Sequence, residues 1–118
     1  MNKQDWTPQE KPFDIRERTF LFACLIVRLV EFLHTRGPVA CELSSQLLRC
    51  GTSVSANVEE ADDGSSKADK RAKRRIALRE IKETKLRLRM PRARGYLTEA
   101  HDPVLVEMTR FAAFLRTW

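Results

Sequence analysis

The sequence predicts an all-α protein. Glycine is sparse, no stretch sustains strand-like alternation, and four segments carry an apolar helical period bounded by Pro, Gly or capping residues. At 118 residues the chain has room for one domain, read as residues 13–118, preceded by a flexible extension over residues 1–12.

The first helix opens at Asp14, where Asp14 and Glu17 have capping-box spacing, and runs to about Thr35, just before Gly37 and Pro38. Between Thr19 and Leu33 only Arg28 and Glu31 are charged, so Phe20, Leu21, Phe22, Leu25, Val27 and Leu29 wrap nearly the whole circumference. A helix of this kind must be covered on more than one face, and self-association is the economical way for a short chain to do so.

The second helix is expected from Pro38 to about Asp63, with Gly64 as its stop. Its second half, RCGTSVSANVEEA from Arg49 to Ala61, keeps a helical apolar period while using small residues that are poor helix formers. Such a segment is chosen for close packing. Arg49, Asn57, Glu60 and, from the next helix, Glu83 are expected to form a buried polar network, within the chain or across a subunit boundary.

Ser65 or Ser66 caps a third helix that reaches about Met90. Pro91 lacks an amide donor and disfavours helical geometry in the residue before it, so a stop or a kink is expected there. Residues 91–101 form a connection, and Asp102 with Pro103 starts a last helix through Trp118. Leu105, Met108, Ala112 and Leu115 are its expected inward face, widened by Val104, Phe111, Phe114 and Trp118.

Charge is concentrated in the third helix. From Lys67 to Arg94, thirteen Lys or Arg stand against Asp69, Glu80 and Glu83, a local excess of +10, whereas the rest of the chain has nine basic and thirteen acidic residues and carries −4. At about 100° per residue, Arg71, Arg75, Arg79, Lys82 and Arg89 share one stripe, while Ala77, Ile81, Thr84 and Leu88 share another.

Little in the chain suggests catalysis. Cys24, Cys41 and Cys50 are odd in number and form no CxxC pair, so they read as buried thiols rather than a disulfide framework or a zinc site. His34 and His101 are isolated near predicted helix ends, where a surface or capping role fits better than metal binding. There is no GxxxxGK[ST] loop, no GxSxG elbow and no HExxH pair. The expectation is a non-enzymatic protein without metal or cofactor. No run is long enough to span a membrane and the first residues lack the apolar centre of a secretion signal, so a cytoplasmic location is expected.

Four segments carry a family resemblance: FDIRERTFLFA at Phe13 to Ala23, QLLRCGTSVSANVEEA at Gln46 to Ala61, a serine pair with lysine at Ser65 to Lys67, and ALREIKET at Ala77 to Thr84. In order and spacing they resemble proteins encoded by intervening sequences in bacterial 23S ribosomal RNA genes. The middle segment is similar to that family's RSGTSIxANIAEA pattern, with Cys50 for serine, Val54 and Val58 for isoleucines and Glu59 for alanine. The ALxExxET pattern falls on Ala77, Leu78, Glu80, Glu83 and Thr84, but Leu86, Leu88 and Pro91 stand where aromatic residues usually follow. The resemblance implies an up-and-down four-helix bundle that assembles as a homo-oligomeric ring, commonly a pentamer. The family is also similar in fold to the accessory variability protein of diversity-generating retroelements, a basic pentamer that works beside a reverse transcriptase and its RNA.

Residues and resemblance together favour a nucleic-acid-binding oligomer that contacts phosphates through Arg71, Arg75, Arg79, Lys82 and Arg89. Structured RNA or duplex backbone suits the stripe better than single strands, because Tyr96 is the only aromatic residue nearby. The alternatives are a solvated helix face that keeps a ring soluble, and a structural oligomer that docks an acidic protein or a reverse transcriptase through the basic surface and an apolar patch of Phe111, Phe114 and Trp118.

Overall fold

A computed structural model of the chain describes Trp6, Thr7, residues 14–63 and residues 66–117. Four α-helices follow one another: α1 (Ile15–His34), α2 (Pro38–Asp62), α3 (Lys67–Ala93) and α4 (Asp102–Thr117), the last preceded by a single 3-10 turn at Glu99–His101. Sequential neighbours pack side by side and α4 closes back on α1, while the diagonal pairs α1/α3 and α2/α4 do not approach each other. The result is an antiparallel up-and-down bundle of 45 × 28 × 18 Å.

The helix ends follow local chemistry. The Asp14 carboxylate accepts the Arg16 amide at 3.0 Å and starts α1. Pro38 opens α2 after Gly37, whose φ of 109° allows the sharp reversal from α1. Ser66 caps α3 by accepting the Asp69 amide at 3.1 Å. Gly64, the expected stop of α2, lies outside the described residues, as does Trp118.

Pro91 does not end α3, so of the stop or kink expected there the stop does not occur. The helix continues through Ala93 and stops at Gly95, where φ is 82°. The Tyr96 amide donates to the Pro91 carbonyl at 2.9 Å and the Gly95 amide to the Arg92 carbonyl at 3.2 Å, the paired bonds of a Schellman stop. Pro91 sits in the last turn with its ring buried, so the lost amide bond is offset by packing.

Small residues in α2 do set a close approach. A methyl group added to Gly51 would meet Ile26 Cγ2 of α1 at 2.8 Å, so the two backbones could not be this near with any larger residue. Val54, Val58 and Ala61 continue the buried stripe, and Cys50 meets the Thr84 side chain of α3. The core is completed by Phe22 of α1 against Phe111 of α4, edge to face with centroids 5.4 Å apart.

Two buried charges were not foreseen. Arg18 and Glu107, with side chains 4% and 1% exposed, form a bidentate pair that ties α1 to α4, with Arg18 Nη2 2.6 Å from Glu107 Oε2 and Nε 3.1 Å from the same oxygen. Loss of one partner from such a pair costs about 3–5 kcal/mol because it strands the other charge, so the pair pins the register of α4. The cysteines also depart from expectation. Only Cys50 is buried, whereas Cys41 is half-buried and Cys24 lies exposed on α1.

The outer line of α1 runs Glu17, Phe20, Cys24, Val27 and Glu31, and in the single chain Phe20 is 54% and Val27 41% exposed. Of residues 1–12, Trp6 is buried against Phe32 and His101, so the extension expected to be flexible is anchored at that point.

Replacing Gly51 by Ala at an exposed helical site would gain about 1 kcal/mol. Here Ile26 must shift, and overpacking of that kind costs about 1–3 kcal/mol. Urea unfolding should therefore show Gly51→Ala to be destabilised, with the loss partly recovered in the Gly51→Ala/Ile26→Ala background relative to Ile26→Ala. A stabilised single variant would contradict the close approach.

Candidate nucleic-acid interface

The buried face of α3 consists of Ala77, Ile81, Thr84, Leu88 and Pro91, which contains the stripe expected from the sequence. Because a helix is a rigid rotor, this seating decides where every other side chain of α3 points. Arg71, Arg75, Arg79, Lys82 and Arg89 all emerge exposed on the far side. From Arg71 to Arg89 they span about 27 Å at 1.5 Å per residue. Among the described residues none of these five makes an ion pair or a side-chain hydrogen bond.

Three other cations of α3 are paired. Lys73 bridges to Glu60 of α2 at 2.5 Å, Arg87 lies 3.7 Å from Glu83, and Arg92 binds Asp102 at 3.0 Å. Thus acids of the bundle meet part of the flanks of α3, and among the described residues none meets its outer row. One apolar residue interrupts that face, because Leu86 is 50% exposed between Lys82 and Arg89.

At the start of α3 the surface becomes concave. Lys67, Lys70, Arg71 and Arg74 line a cavity of about 450 Å3 together with Ala61 and Asp62. The positive end of the helix dipole adds to the field of these side chains. Lys67, Lys70 and Arg74 were not singled out from the sequence, since their share in this corner depends on how the start of α3 sits beside the end of α2.

The expected polar network is brought together only in part. Arg49 binds Glu83 at 2.5 Å, with Glu80 3.6 Å away, and both carboxylates raise the Arg49 pKa above its ordinary value. The Arg49 side chain is half exposed, so this is a boundary bridge between α2 and α3 and not a buried cluster. Asn57 donates to the Ser53 carbonyl of its own helix at 2.9 Å, and Glu60 turns to Lys73. The charge introduced at Glu59 is matched by Arg16 of α1, whose Nη2 lies 2.6 Å away.

A second cluster lies at the end of the bundle where α1 stops and α4 starts. His101 closes a reciprocal cap with Thr98, its Nδ1 accepting the Thr98 amide at 2.9 Å. The ring is 4.9 Å from that of Trp6 and 5.0 Å from that of Phe32, and the Arg28 guanidinium lies 4.6 Å from the Trp6 ring centre. Burial pushes the His101 pKa below 6.5, and nearby Arg92 acts in the same direction. Arg92 in turn holds the Asp102 carboxyl below its usual range. His34 is exposed at the end of α1. Among the described residues no group of three or more His, Cys, Asp or Glu could hold a metal ion, and no helix is long and apolar enough to cross a membrane.

The fold is an antiparallel four-helix bundle with a row of exposed cations along one helix. The chain belongs to the 23S rRNA-intervening sequence protein family, whose pattern it matches over residues 11–116. It is similar to a solved protein of unknown function from the S23 ribosomal protein family of Bacteroides thetaiotaomicron VPI-5482. The two share 32% identity with a TM-score of 0.80, over 88% of this chain and 96% of that one. No curated protein matches the chain.

The depressed His101 pKa has a definite consequence for stability. Below pH 6.5 the unfolded chain takes up a proton at this site that the folded chain refuses, so stability should fall as pH drops from about 7 toward the folded pKa. His101→Asn keeps an acceptor for the Thr98 amide and removes the titration. Its melting temperature should vary less between pH 7 and pH 5 than that of the parent, and equal variation would contradict the assignment.

Proposed function

We propose that the protein is a non-catalytic, oligomeric nucleic-acid-binding protein of the cytoplasm, and that it grips the sugar-phosphate backbone of structured RNA or duplex with the outer face of α3. The observation that carries this reading is that, among the described residues, Arg71, Arg75, Arg79, Lys82 and Arg89 are exposed and have no ion-pair or side-chain hydrogen-bond partner. Like charges at i, i+4 cost a helix about 0.2–0.5 kcal/mol per pair, and Arg71/Arg75 and Arg75/Arg79 are two such pairs. Phosphates relieve that repulsion. Membership in a family named for ribosomal RNA intervening sequences agrees with an RNA ligand. Contacts of this type position a protein without reading bases, so sequence preference is low.

The outer surface of α1 agrees with the oligomeric part of this reading. The exposed Phe20, Cys24 and Val27 of α1 form an apolar line that a second copy would cover. A ring would repeat the basic face around its rim and multiply the field, and the family resemblance gives five as its subunit number.

Leu86 favours a second reading, in which the face docks an acidic protein with one apolar anchor among its cations. The apolar patch expected on α4 does not support it, because Phe111 is fully buried and Phe114 half-buried.

A salt series with a labelled RNA hairpin separates the two. If all five cations contact phosphates, log K should fall with log salt at a slope of about −4.5. Arg75→Glu/Arg79→Glu should weaken binding at least about tenfold and flatten the slope by about 2, with the helical signal unchanged. Absence of hairpin binding at low salt, or affinity indifferent to salt, overturns the nucleic-acid reading and leaves the protein-docking one.

A further inference from the structure

The cluster around His101 lines a cavity of about 400 Å3 bounded by Trp6, Phe32, Tyr96 and His101, with Arg36 and Thr98 at its margin. That volume is in the range of sites that enclose a small planar ligand. His101 is only 6% exposed, and its Nδ1 is occupied as an acceptor by the Thr98 amide. In the neutral ring the proton therefore sits on Nε2. This N–H is buried and has no acceptor among the described residues. An unsatisfied buried donor costs about 1–3 kcal/mol, and native proteins seldom carry one without a use for it.

The surroundings specify what would satisfy it. Aromatic walls favour a flat ring, and the orphan N–H asks for an acceptor on that ring. Arg28 and Arg36 set a positive field that favours an anion. Among the described residues the Arg36 side chain donates only to the Gly95 carbonyl, at 3.4 Å, and can turn to a phosphate. We propose that this cavity binds an unstacked nucleobase, which stacks on the aromatic wall, accepts the His101 Nε2–H through a carbonyl oxygen or ring nitrogen, and places its phosphate at Arg36. Nε2 is buried in the unliganded chain, so Trp6, whose ring is 4.9 Å from that of His101, shifts as the base enters. Trp6 stands outside the four helices, so its movement gives up contacts with Phe32 and Arg28 and breaks no helix hydrogen bond. The proposal deepens the nucleic-acid reading and rests on it for the source of the base. It supplies a base contact that the α3 face lacks.

The test uses the full chain with Trp118→Phe, which leaves Trp6 as the only tryptophan. Trp6 emission is followed while the four ribonucleoside 5′-monophosphates, ribose 5-phosphate and a single-stranded oligonucleotide are added. A saturable change with a monophosphate or with the oligonucleotide, and none with ribose 5-phosphate, is expected. Response to the oligonucleotide alone assigns the cavity to a strand, and response to monophosphates extends it to free nucleotides. His101→Asn should bind at least tenfold more weakly. A rise in the parent's melting temperature with the same ligands gives a readout independent of that variant. Arg75→Glu/Arg79→Glu should lose the hairpin and keep the Trp6 response, so the two claims fail separately. No response to any base-bearing probe, an equal response to ribose 5-phosphate, or undiminished binding by His101→Asn overturns the proposal.

Discussion

The seating of α3 against α2 is the constraint on which the rest depends. Ala77, Ile81, Thr84 and Leu88 are fully buried or nearly so, and a helix with one stripe fixed has no rotational freedom left. The charge pattern of the sequence is thereby converted into a spatial one. Had α3 been rotated by a quarter turn, part of the Arg71–Arg89 row would have met the acids of α2 and been neutralised. As built, Arg49 with Glu83 and Lys73 with Glu60 close the edge, and the outer row faces away.

The same logic runs through α1 and α2. Gly51 lets α2 approach α1 closely at Ile26, which brings Arg16 within reach of Glu59 and Asp62 at the far end of the bundle. α4 is shorter and is held differently, by the Phe22–Phe111 contact and the buried Arg18–Glu107 pair. Non-directional packing sets the spacing, and the ion pair sets the register that packing alone would leave open.

Much of this was legible in the sequence. Helix starts at Asp14, Pro38 and Ser66 announced themselves through capping chemistry, and the buried stripe of α3 followed from its period. The basic row was readable because a helix at fixed pitch leaves little choice of face. Pro91 misled because its local cost is real but small beside the burial of its ring, and Gly95 carried the true stop signal. Arg18 and Glu107 were missed because, one residue at a time, a charge on a helix looks solvated, and their pairing depends on how α1 and α4 meet across the bundle. Asn57 suggested a network, yet a side chain amide within reach of its own Ser53 carbonyl needs no distant partner. The His101 cluster was invisible for a further reason. It assembles residues from an N-terminal segment, α1 and the α3–α4 connection, which share no period.

The most direct test of the basic face is amine footprinting with and without an RNA hairpin at low salt. Lys82 lies on the outer row and Lys70 in the corner at the start of α3, whereas Lys73 is held by Glu60. Binding through this face predicts that the hairpin shields Lys82 and Lys70 from acetylation and leaves Lys73 much as it was. A bound hairpin that leaves Lys82 and Lys70 as reactive as in the free protein would contradict it.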